Sequence, residues 1–144
     1  MLSYEAVSAG SAEDAWELLA RPSRWHEWAP QLGGAWGLGE PEVRPGALGA
    51  VRLLGLVPVP ARVTAKLPGR SWDWRVGLVT FRHRVTPEPD GALVGVDIEA
   101  PAALEPLLQV SYGPVVAALV RNLARVADHE AQDCVLHPSE RNRP

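Results

Sequence analysis

The chain has 144 residues, a net charge of −3, 47% apolar and 22% charged residues. That length suits one domain with a sizeable core, and the charge gives no pull toward nucleic acid or a membrane surface. The single cysteine, Cys134, excludes a disulfide framework; with no membrane-length apolar run and no leader pattern, a reducing, cytoplasmic setting is expected.

Residues 2–9 read as a strand, broken at Gly10-Ser11. Ser11 with Asp14 resembles a capping box opening a helix over Ala12 to Ala20, with the acids Glu13 and Asp14 in its first turn. Pro22 is expected to end it. Arg24 to Trp28 reads as a short helical turn stopped by Pro30, with Trp25 and Trp28 on one face. Weak strands are expected at Trp36 to Leu38 and Gly49 to Leu54.

Val57 to Leu67 alternates more clearly, with Val57, Val59, Ala61, Val63, Ala65 and Leu67 on the inner face. Its two prolines place its start at an edge or bulge. Three further alternating runs follow: Ser71 to Val76, Val79 to Val85 and Leu93 to Glu99. Asp90-Gly91 is a hairpin signal between the last two. Ala102 to Val110 reads as a short helix or folded loop. Gly113-Pro114 then opens a long helix with a stripe of Val116, Leu119, Val120, Leu123, Val126 and Ala127. The domain is expected to cover residues 1–134, with 135–144 a disordered tail.

Six of the nine aromatic residues are tryptophan. Each indole is large and carries an N–H that needs a partner when buried. Trp16, mid-helix, reads as core. Trp25 and Trp28 either dock their short helix or form an aromatic lip. Trp72 and Trp74 lie two apart on one strand face, as core or as a stacking wall. His83 shares the inward face with Phe81 and Val85, while Asp97 and Glu99 fall on the opposite face of their strand. No carboxylate is therefore in view to orient the imidazole. Tyr112 either reaches the interior or caps the helix. Arg52, Arg75, Arg82 and Arg84 read as an outer face paired with Asp73, Asp97 and Glu99.

No nucleotide, zinc-protease or nucleophile-elbow motif is present. His26, His83, His129 and His137 are too scattered for a metal site, so no metal or cofactor is expected. Basic residues do not cluster with aromatics, so nucleic acid is not expected as a partner.

Strand, two short helices, about six antiparallel strands and a long helix is an order that resembles the START/Bet v 1-like (SRPBCC) superfamily, in particular its polyketide cyclase/dehydrase-type branch. The residues carrying the resemblance are Ser11 to Leu19, Arg24 to Pro30, Ser71 to Val76, His83 and the Pro114–Asp133 helix. The resemblance implies a helix-grip fold: α+β, a curved antiparallel sheet of six to seven strands around the long C-terminal helix. It also implies an apolar cavity between them. Trp72, Trp74, Phe81, His83, Val94, Val96 and Ile98 match cavity-facing strand positions. Leu119 and Leu123 would face them from the helix, with Trp28 and Trp36 at the rim.

The leading expectation is a binding protein for a small hydrophobic molecule, such as a lipid, polyketide or aromatic metabolite. An aromatase/cyclase or dehydratase using His83 as acid/base is the second reading, and enzymatic activity is left open. A third is a ligand-free interaction module, in which Trp25, Trp28 and Leu104 to Leu108 present an apolar patch to a partner or a second copy in a homodimer.

Overall fold

The computed structural model describes residues 1–29, 32–53 and 58–136. Pro30, Leu54, Val57 and the tail from His137, all invoked above, lie outside them. The chain runs β1 (Leu2–Ser8), α1 (Ala12–Ala20), a 3₁₀ turn (Pro22–Glu27), β2 (Leu32–Trp36), β3 (Leu48–Leu53), β4 (Pro58–Leu67), β5 (Ser71–Val76), β6 (Val79–Glu88), β7 (Gly91–Glu99), α2 (Glu105–Ser111) and α3 (Gly113–Leu136). The seven strands form one antiparallel sheet in the order β1-β7-β6-β5-β4-β3-β2. With α3 packed along it, this is the helix-grip architecture the sequence implies.

Ser11 caps α1 as its residue type predicts, its Oγ accepting from the Asp14 N–H at 3.1 Å. α1 stops at Ala20 as Pro22 predicts: Arg21, directly before the proline, is extended, and Pro22 then starts the 3₁₀ turn, where its missing N–H costs nothing. Arg24 anchors that turn, pairing with Glu27, Glu17 and Glu130 and so tying it to α1 and α3.

β4 departs from simple alternation. Val59, Ala61 and Val63 turn inward as predicted, but the register shifts between Val63 and Ala65. The extra residue of this bulge re-phases the strand. Ala65 and Leu67 become exposed, Leu67 by 61%, and Lys66 turns in to meet Glu42 at 2.9 Å. The prolines Pro58 and Pro60 pair only with β3, because β5 covers β4 from Arg62 onward. They occupy the locally one-sided stretch that proline requires.

The long helix is fastened at both ends of β1. Ser8 Oγ lies 3.0 Å from the Ala124 carbonyl and 2.9 Å from the Asp128 carboxylate, and accepts from the Gly10 N–H. A Cβ on Gly10 would stand 2.5 Å from the Ala127 carbonyl oxygen, so glycine sets the close approach of chain and helix. At the other end Gly113 accommodates Tyr4, whose hydroxyl would meet an added Cβ at 2.2 Å. On the outer face of the sheet, Arg82 pairs with Asp73, and Arg84 with Asp97 and Glu5. That is the cross-strand arrangement the alternation predicts. Among the described residues no single helix is long and apolar enough to cross a membrane.

Candidate functional site

The last turn of α1 explains where most of the tryptophans go. A helix end leaves four carbonyls without intrahelical donors. Here Glu17 O accepts from the Arg21 N–H and Ala20 O from the Val43 N–H. The other two accept from indoles: Leu18 O from Trp28 Nε1 at 2.8 Å, and Leu19 O from both Trp25 Nε1 at 3.0 Å and Trp72 Nε1 at 3.2 Å. Trp25 and Trp28 are thus buried, 3% and 6% exposed, rather than an exposed lip or an outward patch. Trp16 is core, as expected, with its N–H on Glu42 at 3.3 Å.

Holding these indoles in place builds an aromatic wall. Trp25, Trp72 and His83 stack face to face, with Trp25–Trp72 centroids 5.6 Å apart at 7° and Trp72–His83 centroids 4.0 Å apart at 8°. Trp74 stands perpendicular beside all three, at 5.4 to 5.6 Å. The separations among the three tryptophans are those of favourable aromatic pairs. Trp74 Nε1 is buried and has no hydrogen-bond partner among the described residues.

Behind that wall lies a cavity of about 240 Å³ between the sheet and α3. The sheet contributes Trp72, Trp74, Phe81, His83 and Val96, with Val51, Val76 and Val79. The 3₁₀ turn contributes Trp25 and Trp28. From the helices come Leu108, Tyr112, Val116 and Leu119. Among the described lining residues His83 is the one whose side chain ordinarily titrates near neutral pH.

The cavity brings together eight of the positions singled out in the sequence: Trp28, Trp72, Trp74, Phe81, His83, Val96, Tyr112 and Leu119. It does not include Val94, Ile98 or Leu123, each 1% exposed, which point inward but are packed into the core. Nor does it include Trp36, which is 48% exposed with the Arg52 guanidinium 6.0 Å over its ring. β2 ends at Trp36 instead of starting there, so Ala35 takes the inward position and alternation turns Trp36 out. Sequence reasoning did not place Val51, Val76, Val79, Leu108 or Val116 at the cavity, although Val116 fell in the helix stripe and Leu108 in the apolar patch. Val116 carried a usable signal, sharing a helix face with Leu119, as did Val76 and Val79 on either side of the Gly77 turn.

His83 is 7% exposed. Its Nδ1 lies 3.4 Å from the Trp72 carbonyl, a long contact. Burial pushes the imidazole pKa down to about 3, outweighing the opposing contact with that carbonyl, so the ring is neutral. Because a carbonyl can only accept, the proton is assigned to Nδ1, leaving Nε2 as an acceptor. Asp97 faces away and is held by Arg84, as the alternation implied. Tyr112 sits at the C-terminal end of α2, edge-on to Phe81 at 6.0 Å, and burial raises the pKa of its phenol. It stays protonated. Among the described residues no cluster of acids, histidines or cysteines could hold a metal.

Residues 2–129 match the family described as polyketide cyclase/dehydrase and lipid transport, and the chain belongs to that family, within the START/Bet v 1-like (SRPBCC) superfamily. No curated protein matches the sequence as a relative. Among solved structures it is similar to a protein of Nitrosomonas europaea, at TM-score 0.71 and 13% identity, over 91% of this chain and 96% of that one. It is also similar to Ara h 8.0201, at TM-score 0.58 and 11% identity over 85% and 95%. A third is DynU16, a protein in the dynemicin biosynthetic locus, at TM-score 0.63 and 17% identity, over 85% of this chain and 46% of that one. Identities this low speak to the fold alone.

Proposed function

We propose that this protein binds a small apolar molecule in the cavity between the sheet and α3. The observation that carries the reading is the lining itself: four indoles, a phenylalanine and aliphatic side chains around about 240 Å³, with no charged group among the described lining residues. Burying an apolar ligand there contributes roughly 25 cal/mol per Å² before the costs of ordering it. The volume falls just under the range of about 300–1,000 Å³ for pockets that enclose drug-sized ligands. It suits an aromatic metabolite or a short chain better than a long lipid. Family membership supports a hydrophobic ligand or a polyketide-related role.

Catalysis by His83 is the less supported reading. A general base is ordinarily oriented by a partner on its other nitrogen, and His83 has a carbonyl at 3.4 Å instead of a carboxylate. The test is titration of the intrinsic tryptophan fluorescence with fatty acids, flavonoids and polycyclic aromatic compounds. A saturable one-to-one response to at least one class is expected; no response to any would sink the proposal.

A further inference from the structure

The lining of the cavity says more about its occupant than that it is apolar. An occupant that carries a charge would lose its hydration with no opposite charge to replace it among the described lining residues, none of which is a carboxylate, an ammonium or a guanidinium. Three side chains of the described lining nevertheless carry polar atoms: Tyr112 with its hydroxyl, Trp74 and His83. Trp74 holds a buried N–H to which no described residue offers an acceptor. Leaving such a donor unpaired is unfavourable. The other three indoles of the lining are already committed to the Leu18 and Leu19 carbonyls, so among the indoles only Trp74 has a hydrogen bond to give. His83 is its complement. With Nδ1 turned to the Trp72 carbonyl, Nε2 offers a lone pair. The two rings are neighbours on the cavity wall, centroids 5.6 Å apart and nearly perpendicular.

From the orphan indole N–H, the imidazole acceptor and the uncharged lining, and resting on the binding reading above, we infer that the cavity selects a neutral hydroxyl compound, a phenol or alcohol on an apolar frame, and discriminates against carboxylates. A hydroxyl both donates and accepts. It can therefore give its proton to the Nε2 lone pair while its oxygen accepts from Trp74. A carboxylate accepts only, presents its lone pairs to the imidazole lone pair, and arrives with a charge that no lining group neutralises. A ketone satisfies Trp74 but leaves His83 unpaired. A bare hydrocarbon satisfies neither. The neutrality of His83, enforced by burial, is consistent with this selectivity because it removes the one cation that could have held an acid.

Isothermal titration calorimetry near neutral pH with naphthalene, 2-naphthol and 2-naphthoate tests it, since the three share one frame. 2-Naphthol is expected to bind about tenfold or more tighter than 2-naphthoate, and tighter than naphthalene, in keeping with one satisfied buried donor. Trp74→Phe keeps an aromatic ring and removes the N–H. It should erase most of the advantage of 2-naphthol over naphthalene, read as the ratio of the two binding constants within the variant. 2-Naphthoate binding as tightly as 2-naphthol overturns the inference and leaves the apolar-binding reading standing. Failure of all three to bind overturns both. Should Trp74→Phe not fold, the comparison of the three probes on the unaltered protein remains decisive.

Discussion

Trp25 and Trp72 donate their indole N–H groups to one acceptor, the Leu19 carbonyl oxygen, at 3.0 and 3.2 Å, while their rings stack 5.6 Å apart. One residue comes from the 3₁₀ turn and the other from the middle of the sheet. The end of α1 is therefore the joint at which turn, helix and sheet are locked, and the cavity wall is a by-product of how that joint is made.

The shared acceptor predicts an asymmetry between two similar substitutions. Trp28→Phe leaves the Leu18 carbonyl without its donor, at about 1–3 kcal/mol beyond the cost of the smaller ring. Trp25→Phe leaves Leu19 still served by Trp72, so it should lose less. Urea unfolding of both variants reads the difference; equal losses would contradict the shared arrangement.

Stability should depend on pH through His83. The unfolded imidazole titrates near 6.5 and the folded one near 3. Between those values the unfolded chain holds a proton that the folded chain does not, so stability rises with pH across the window and levels off above it. Asp97 and Glu27 act in the same direction, but only at the acid end. Burial pushes Asp97 up, yet Arg84 and Ser3 outweigh it, and Arg24 holds Glu27 low. His83→Phe should flatten the upper part of the profile. Urea midpoints measured over a pH series would show an unchanged slope if His83 were not the group responsible.

Filling the void should separate binding from folding. Leu119→Trp places extra volume from α3 into the cavity, where there is room that a tightly packed core lacks. Ligand binding should fall at least about tenfold with little loss of thermal stability. Retained binding in a folded variant would place the ligand elsewhere.

Gly10→Ala tests the seam between β1 and α3. The new methyl would lie 2.5 Å from a backbone oxygen that cannot swing aside, so a loss of about 1–3 kcal/mol is expected from strain. Thermal unfolding measures it, and an unchanged midpoint would mean that the seam is looser than it looks.

Much of this architecture was legible in the sequence because period-two alternation is a local property. Trp72, Trp74, Phe81, His83 and Val96 fall on the cavity face without any knowledge of the sheet order, and Ser11 announces its helix by hydrogen-bonding type alone. Two kinds of information were not local. The bulge at Val63/Ala65 resets the phase of β4, so Leu67 points out and Lys66 in, against a pattern that ran unbroken in sequence. The division of inward residues between void and packed core depends on what covers them. Val94 and Val96 are indistinguishable by alternation, yet only Val96 meets the cavity. The roles of Trp25 and Trp28 were hidden for a similar reason, since nothing in an indole's position says which carbonyl it will find.

The end of α1 also has an order of assembly written into it. Its indole donors lie six, ten and fifty-three residues away along the chain. The two near ones close short loops, which cost little chain entropy and form early. Trp72 can arrive only once β5 has joined the sheet. The Leu19 oxygen is thus satisfied provisionally by a neighbour and then claimed a second time by the finished fold. A helix whose end is held from nearby during folding and from afar afterwards has a protected terminus at both stages.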